Sequence, residues 1–253
     1  MRNNITDIYC IGTQKAGTSW MHTMLNIHPK TFSFKHIKNI TSTNKEAHFW
    51  DWNQNRGIDW YREIMNPRSK DKLSMDFTPE YSLLKPKQIR QCYNNSPNAY
   101  VFYILRSPID RAISCLKMFY LWEFGKDDSI NIEMDKKFRK ILYKSKALHT
   151  SMSYYQCIDN WSKHYSDIKI LDYRDILEHP ECLVRKTYSE IGLSFNDMGK
   201  DERLEFTRKI NKRVWESHKF NVSEDVIDYM NSALNIYEHE YLELTNGCRL
   251  NDC

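Results

Sequence analysis

The chain has 253 residues, 41% of them hydrophobic, and a formal net charge of +4. That length suits one α/β domain whose core needs no metal or disulfide to fold. So small a charge is not the footprint of a general nucleic-acid binder, and no run of about 18 apolar residues offers a membrane span.

Short apolar runs alternate with helical patterns, which predicts βα units around a parallel sheet. Ile8–Ile11 is the first strand. A glycine-bracketed turn and a helix carrying Trp20, Met21, Met24 and Leu25 follow, ending at His28-Pro29. Gly57–Met65 reads as a second helix and Leu73–Phe77 as a second strand. Ala99–Leu105 is the clearest strand, and Pro108 opens a helix to about Met118. Residues 124–148 are polar and lysine-rich and read as an insertion or mobile flap. Tyr154, Ile158, Trp161 and Tyr165 recur at helical spacing. Ile168–Leu171 is a strand, Pro180–Ile191 a helix stopped by Gly192, and Ser223–Leu244 the last long helix. No linker separates independent domains, so 1–253 reads as a single domain. The seven cysteines form no CxxC pair. They read as free thiols of a reducing compartment, and no metal site is expected. The first residues lack the apolar stretch of a signal peptide. A soluble, cytoplasmic protein is expected, although a fragment of a membrane-anchored chain would read the same way.

Three segments carry chemistry. Gly12-Thr13-Gln14-Lys15-Ala16-Gly17-Thr18-Ser19 follows a strand and opens a helix. Unpaired N–H groups at a helix start bind anions, and glycine lets the backbone approach them closely. The Gly12-to-Gly17 spacing matches a Walker A loop, but Thr18 stands where that loop needs lysine, and the lysine is inside the loop as Lys15. An ordinary kinase or ATPase is therefore disfavoured. Arg106 stands at the end of the strongest strand, where open α/β sheets place ligands, with Ser114 two turns into the next helix. An arginine and a hydroxyl can hold a phosphate. Two anion sites at neighbouring strand ends suit a nucleoside phosphorylated at both ends. Lys45-Glu46-Ala47-His48-Phe49-Trp50-Asp51 sets a carboxylate inside an aromatic patch. Glu46 is a candidate general base, with His48 on the same side if the segment is extended. A solvated loop with an incidental histidine is the alternative.

Together these pieces resemble the sulfotransferases that use 3′-phosphoadenosine 5′-phosphosulfate (PAPS), with the closer likeness to the heparan-sulfate type and its bacterial relatives. Gly12–Trp20 is similar to the family's 5′-phosphosulfate loop, and Arg106–Ser114 to its 3′-phosphate motif. Lys45–Asp51 resembles its Lys-Glu-x-His-Phe-Phe-Asp segment, with Trp50 for the second Phe. Asp76–Tyr81 resembles its Lys-Thr-Pro-x-Tyr stretch, with Phe77 where lysine is common.

The resemblance implies a P-loop-type parallel sheet flanked by helices and sulfuryl transfer from PAPS to a hydroxyl or amine, leaving adenosine 3′,5′-bisphosphate. It implies a glycan acceptor and no nucleic-acid partner. Glu46, Lys15 and His48 would be catalytic. Lys15, Ala16, Gly17, Thr18, Ser19, Trp20, Arg106 and Ser114 would bind the nucleotide. Lys212 and Arg213 occupy the region of the family's basic C-terminal loop. The rival readings are a P-loop nucleotide kinase or hydrolase and a non-catalytic nucleotide- or glycan-binding module.

Overall fold

The computed structural model describes residues 4–41, 43–67, 69, 71–126, 129–144, 153–212, 214 and 219–250. The chain opens with β1 (Ile8–Cys10), α1 (Thr18–Asn26), β2 (Thr31–Phe32), α2 (Ile58–Ile64) and β3 (Leu73–Asp76). There follow α3 (Pro86–Asn95), β4 (Tyr100–Leu105), α4 (Pro108–Phe124), β5 (Asn131–Ile132), α5 (Lys136–Lys144), α6 (Tyr154–Ser162) and β6 (Ile168–Asp172). The last third holds α7 (Tyr173–Glu178), α8 (Pro180–Glu190), α9 (Lys200–Lys209), β7 (Asn221–Val222) and α10 (Glu224–Thr245).

Five strands form one parallel sheet in the order β2-β3-β1-β4-β6. This is the P-loop-type sheet expected from the sequence. Alternate side chains of β1 and β4 enter different cores. Ile8, Cys10, Phe102 and Ile104 pack with α1, α8 and α9. Tyr9, Ile11, Val101, Tyr103 and Leu105 pack with α2, α3 and α6. Both faces are covered, which is why the strands read as continuous apolar runs. Chain order along the sheet reverses around β1, so the carboxyl ends of β1, β3 and β4 open onto one crevice.

Pro108 begins α4 at its first position, and the Ser107 hydroxyl accepts the Asp110 N–H at 3.3 Å. The helix runs past Met118 to Phe124 because Tyr120 is still core-facing.

Residues 129–144 are not the polar flap that composition suggested. Ile132, Phe138 and Ile141 are buried against α4 and α10 in a third core. The short strand β5 pairs in parallel with β7. Two apolar residues three apart are enough to seat a lysine-rich helix. Of the 124–148 segment, residues 127–128 and 145–148 lie outside the described residues.

The free-thiol expectation holds at Cys10, Cys92, Cys115, Cys157 and Cys248 and fails at Cys182, which is disulfide-bonded. Pairing follows proximity in space, which spacing along the chain does not reveal. No helix among the described residues is long and apolar enough to cross a membrane.

Candidate active site

The β1–α1 loop is held in a shape that few side chains tolerate. Gly12, Lys15 and Gly17 all have positive φ, at 149°, 67° and 86°. At a φ of 86° a side chain on Gly17 is strained, and its Cβ would also press on the Ile176 Cδ1 at 2.6 Å. The loop hangs from β4, with the Thr13 N–H donating to the Ile104 carbonyl at 2.9 Å. No acidic side chain occupies the first turn of α1, which leaves its N–H groups facing the crevice. Thr18 is buried, and the Trp20 indole N–H donates to the Ile210 carbonyl at 3.1 Å, tying α1 to the end of α9.

Lys15 and Arg106 meet at this loop. The Arg106 guanidinium donates to the Lys15 carbonyl at 2.9 Å and lies 4.5 Å from the centre of the Tyr173 ring. Its Nε is buried without a hydrogen-bond partner. Burial, reinforced by Arg106, lowers the Lys15 pKa from its ordinary value, against a smaller opposite pull from Cys115. Neither cation makes an ion pair with a carboxylate among the described residues. Ser114 faces inward on α4, 5% exposed. Lys212 follows α9 as an exposed residue, with its backbone N–H on the Lys209 carbonyl at 2.9 Å. Arg213 lies outside the described residues.

The Lys45–Asp51 segment crosses the carboxyl end of β3. The Phe77 N–H donates to the Lys45 carbonyl at 2.7 Å. The Ala47 N–H donates to Asp76 at 3.3 Å and the His48 N–H to the Thr78 hydroxyl at 3.3 Å. Asp76 is fully buried and also accepts from Thr78 (2.7 Å), Tyr61 (2.7 Å) and Tyr81 (2.9 Å). Burial nevertheless pushes its carboxyl pKa up. Phe77 is wholly in the core, where the resemblance would put a lysine.

The Lys45 ammonium is buried and paired with Glu46. His48 is not in an extended segment. Its φ is 48°, and the left-handed turn it makes brings Nε2 within 3.9 Å of both Glu46 and Glu80. The expected proximity of His48 to Glu46 thus arises by a different backbone route. His48 Nδ1 lies 2.9 Å from Asp51, and its ring stacks on Trp52 with centroids 3.6 Å apart. Burial alone would lower the His48 pKa, but the Asp51 hydrogen bond and the charges of Asp51, Glu80 and Glu46 raise it overall.

The imidazolium contributes stability that is full below the unfolded pKa of about 6.5 and is lost as pH rises through the higher folded value. Asp51→Asn should bring the His48 titration to lower pH. An NMR titration of the His48 ring checks it, and an unchanged midpoint would refute the assignment.

Glu80 and Gln14 were not singled out as site residues. Glu80 sits in a 3₁₀ turn (Pro79–Leu83) that follows β3, and its Oε1 accepts from the Gln14 amide at 3.2 Å. The local signal was the Thr78-Pro79 turn at a strand end, which redirects the chain over the crevice. Both residues line a cleft of about 250 Å³ walled by Trp52, Phe119 and Trp122. A wider hollow of about 750 Å³ lies between the start of α8 and Ile210-Asn211, and contains none of the loop, Arg106 or Glu46 residues. Side-chain chemistry, not cavity size, therefore locates the site.

Residues 5–236 match the family model described as a sulfotransferase domain. Heparan sulfate glucosamine 3-O-sulfotransferase 6 of Homo sapiens is 30% identical over 114 residues, covering 45% of this chain and 30% of that protein. Heparan sulfate glucosamine 3-O-sulfotransferase 5 of Mus musculus is 27% identical over 170 residues, covering 61% and 43% respectively. The chain thus matches less than half the length of these relatives. Among solved structures, a sulfotransferase from Alicyclobacillus acidocaldarius superposes with a TM-score of 0.58 at 17% identity, covering 95% of this chain and 98% of that one. A sulfotransferase domain from the Synechococcus PCC 7002 olefin synthase gives 0.52 at 13% identity, covering 99% and 98%. These structural likenesses speak to the fold, and the family match spans nearly the whole chain: the protein belongs to the sulfotransferase family.

Proposed function

We propose that this protein transfers a sulfuryl group from PAPS to a hydroxyl of a sugar-type acceptor, with Glu46 as general base. The observation that carries the proposal is the pairing of Arg106 with the Lys15 carbonyl. It brings Arg106, at the end of β4, onto the glycine-flanked loop that carries Lys15, and neither cation is in an ion pair among the described residues. A nucleotide phosphorylated at both ends matches such a pair.

The residues present fit PAPS. The Arg106 Nε is a buried donor without a partner, and Gly17 keeps the loop clear of side-chain bulk. Lys15 and the backbone N–H groups of Gly17, Thr18, Ser19 and Trp20 would hold the 5′ end, whereas the Ala16 N–H already donates to the Thr13 carbonyl at 3.1 Å. Arg106 and Ser114 would hold the 3′-phosphate, with Lys212 and Arg213 as further cations. When bound, PAPS supplies an activated sulfuryl group whose transfer leaves adenosine 3′,5′-bisphosphate.

Lys15 stabilises the negative charge that builds on the leaving oxygen. Glu46 removes the acceptor hydroxyl proton as that oxygen attacks. His48, fixed by Asp51 and Trp52, positions the Glu46 carboxylate. A sulfuryl group carries less charge than a phosphoryl group, so a metal clamp is less necessary than in kinases. The carbohydrate acceptor is supported by the named relatives, which act on heparan sulfate glucosamine.

Nucleotide binding provides the test. At about 100 times its dissociation constant, adenosine 3′,5′-bisphosphate should add about 2.7 kcal/mol. That is roughly 5–10 °C in Tm for a chain of this size. ATP with magnesium should add far less, and Arg106→Ala should remove most of the bisphosphate shift. A larger shift with ATP and magnesium, or none with the bisphosphate, would overturn the reading.

A further inference from the structure

Glu80 has two unlike oxygens. Oε1 is satisfied by Gln14 of the phosphate loop. Oε2 is buried and has no hydrogen-bond partner, its nearest cationic neighbour being His48 Nε2 at 3.9 Å, beyond hydrogen-bond distance. A buried acceptor left unpaired costs about 1–3 kcal/mol, so the orphan marks a place where a donor belongs. Glu80 lines the cleft of about 250 Å³, and the only other charged residue in that lining is Arg111, which is itself fully buried. Of the two, Glu80 alone keeps side-chain exposure, 26% against none for Arg111.

The walls match a ring. Trp52 and Trp122 are 63% and 67% exposed although both line the cleft. Indole faces stack on the apolar face of a sugar ring and attract cations. The volume falls below the roughly 300–1,000 Å³ of pockets for drug-sized ligands and suits about one ring. Glu46, which does not line the cleft, approaches the same His48 Nε2 at 3.9 Å and sets a second carboxylate beside Glu80.

We propose that Glu80 determines acceptor specificity. It receives a hydroxyl or ammonium donor from an uncharged or amino-bearing sugar ring, and it rejects rings bearing a carboxylate or sulfate at that position. The inference rests on the proposed sulfuryl-transfer reading for the word acceptor, but the binding preference stands apart from transfer. Selectivity of this kind combines an attraction for one ligand with an unpaired or like-charged clash for another.

Phenyl β-D-glucoside, phenyl β-D-glucosaminide and phenyl β-D-glucuronide test it: relative to the glucoside, the second carries an amine at C2 and the third a carboxylate at C6. Each is titrated into the full chain, with and without adenosine 3′,5′-bisphosphate. The indole N–H resonances of Trp52 and Trp122, assigned with Trp52→Phe and Trp122→Phe, report occupancy of this cleft. The glucoside and glucosaminide should bind about tenfold more tightly than the glucuronide, as expected for one like-charge contact at a partly screened site. Glu80→Gln should abolish the difference by strengthening glucuronide binding about tenfold, with an unchanged far-ultraviolet spectrum. Equal binding of all three by the natural chain, no binding by any, or an unchanged ratio in Glu80→Gln would each overturn the proposal. Sulfuryl transfer from PAPS is assayed on the same three compounds. Selective binding without transfer sinks the proposed function alone, and transfer that favours the glucuronide sinks the role of Glu80 alone.

Discussion

Glu46→Gln should lower turnover by about a thousandfold, within the 10²–10⁴-fold range that general-base catalysis contributes. Nucleotide binding should remain within about twofold of its original strength. Gln keeps the shape and can still accept from Lys45, whose buried ammonium pairs with Glu46. It leaves the buried Lys45 ammonium hydrogen-bonded but without its counter-charge, so some loss of stability should accompany the change. What it cannot do is take a proton from the attacking hydroxyl. Single-turnover transfer with labelled PAPS, run beside the adenosine 3′,5′-bisphosphate melting shift, separates chemistry from binding. A variant that turns over at the original rate would remove Glu46 from the mechanism.

Lys15→Ala should cost at least about a hundredfold in turnover, the usual consequence of deleting one donor aimed at developing charge. The burial that lowers its pKa also removes water that would compete with it for the leaving oxygen. Because Lys15 sits at φ 67°, alanine inherits the same backbone strain and adds little of its own. The carbonyl that Arg106 grips belongs to the backbone and survives the change. The 3′-phosphate end should thus keep its affinity while the rate collapses. Near-normal turnover in the alanine variant, measured at saturating PAPS, would refute the assignment.

Much of this site was legible in the sequence because its signals are local. A strand, two glycines and a helix start within thirteen residues announce the loop at Gly12–Trp20. Arg106 was marked by standing at the end of an unbroken apolar strand. The Lys45–Asp51 cluster is contiguous, so its residues could be gathered without a fold.

What escaped depends on contacts between distant segments. Nothing near Arg106 says that Tyr173, 67 residues on, supplies its platform or that the Lys15 carbonyl is its partner. Glu80 looked like a filler position in a Thr-Pro turn until the fold set it against Gln14 and His48. The left-handed backbone at His48 is set by the surrounding hydrogen bonds, and histidine has no sequence signature for it. The packed residues 129–144 escaped because Phe138 and Ile141 are a sparse apolar stripe among lysines, and their partners are on α4 and α10. The helix α9 did carry signals, with acids in its first turn and bases in its last, complementing the helix dipole.

The hub at Asp76 has a consequence for how the enzyme comes apart. A loop bearing catalytic groups would ordinarily fray at small cost, independently of the interior. Here the backbone of Ala47 and the side chains of Tyr61, Thr78 and Tyr81 converge on one carboxylate at the tip of β3. Peeling the Glu46 segment away breaks that knot. The Lys45–Asp51 rim should therefore melt together with the central sheet, over the same temperature range as the loss of secondary structure.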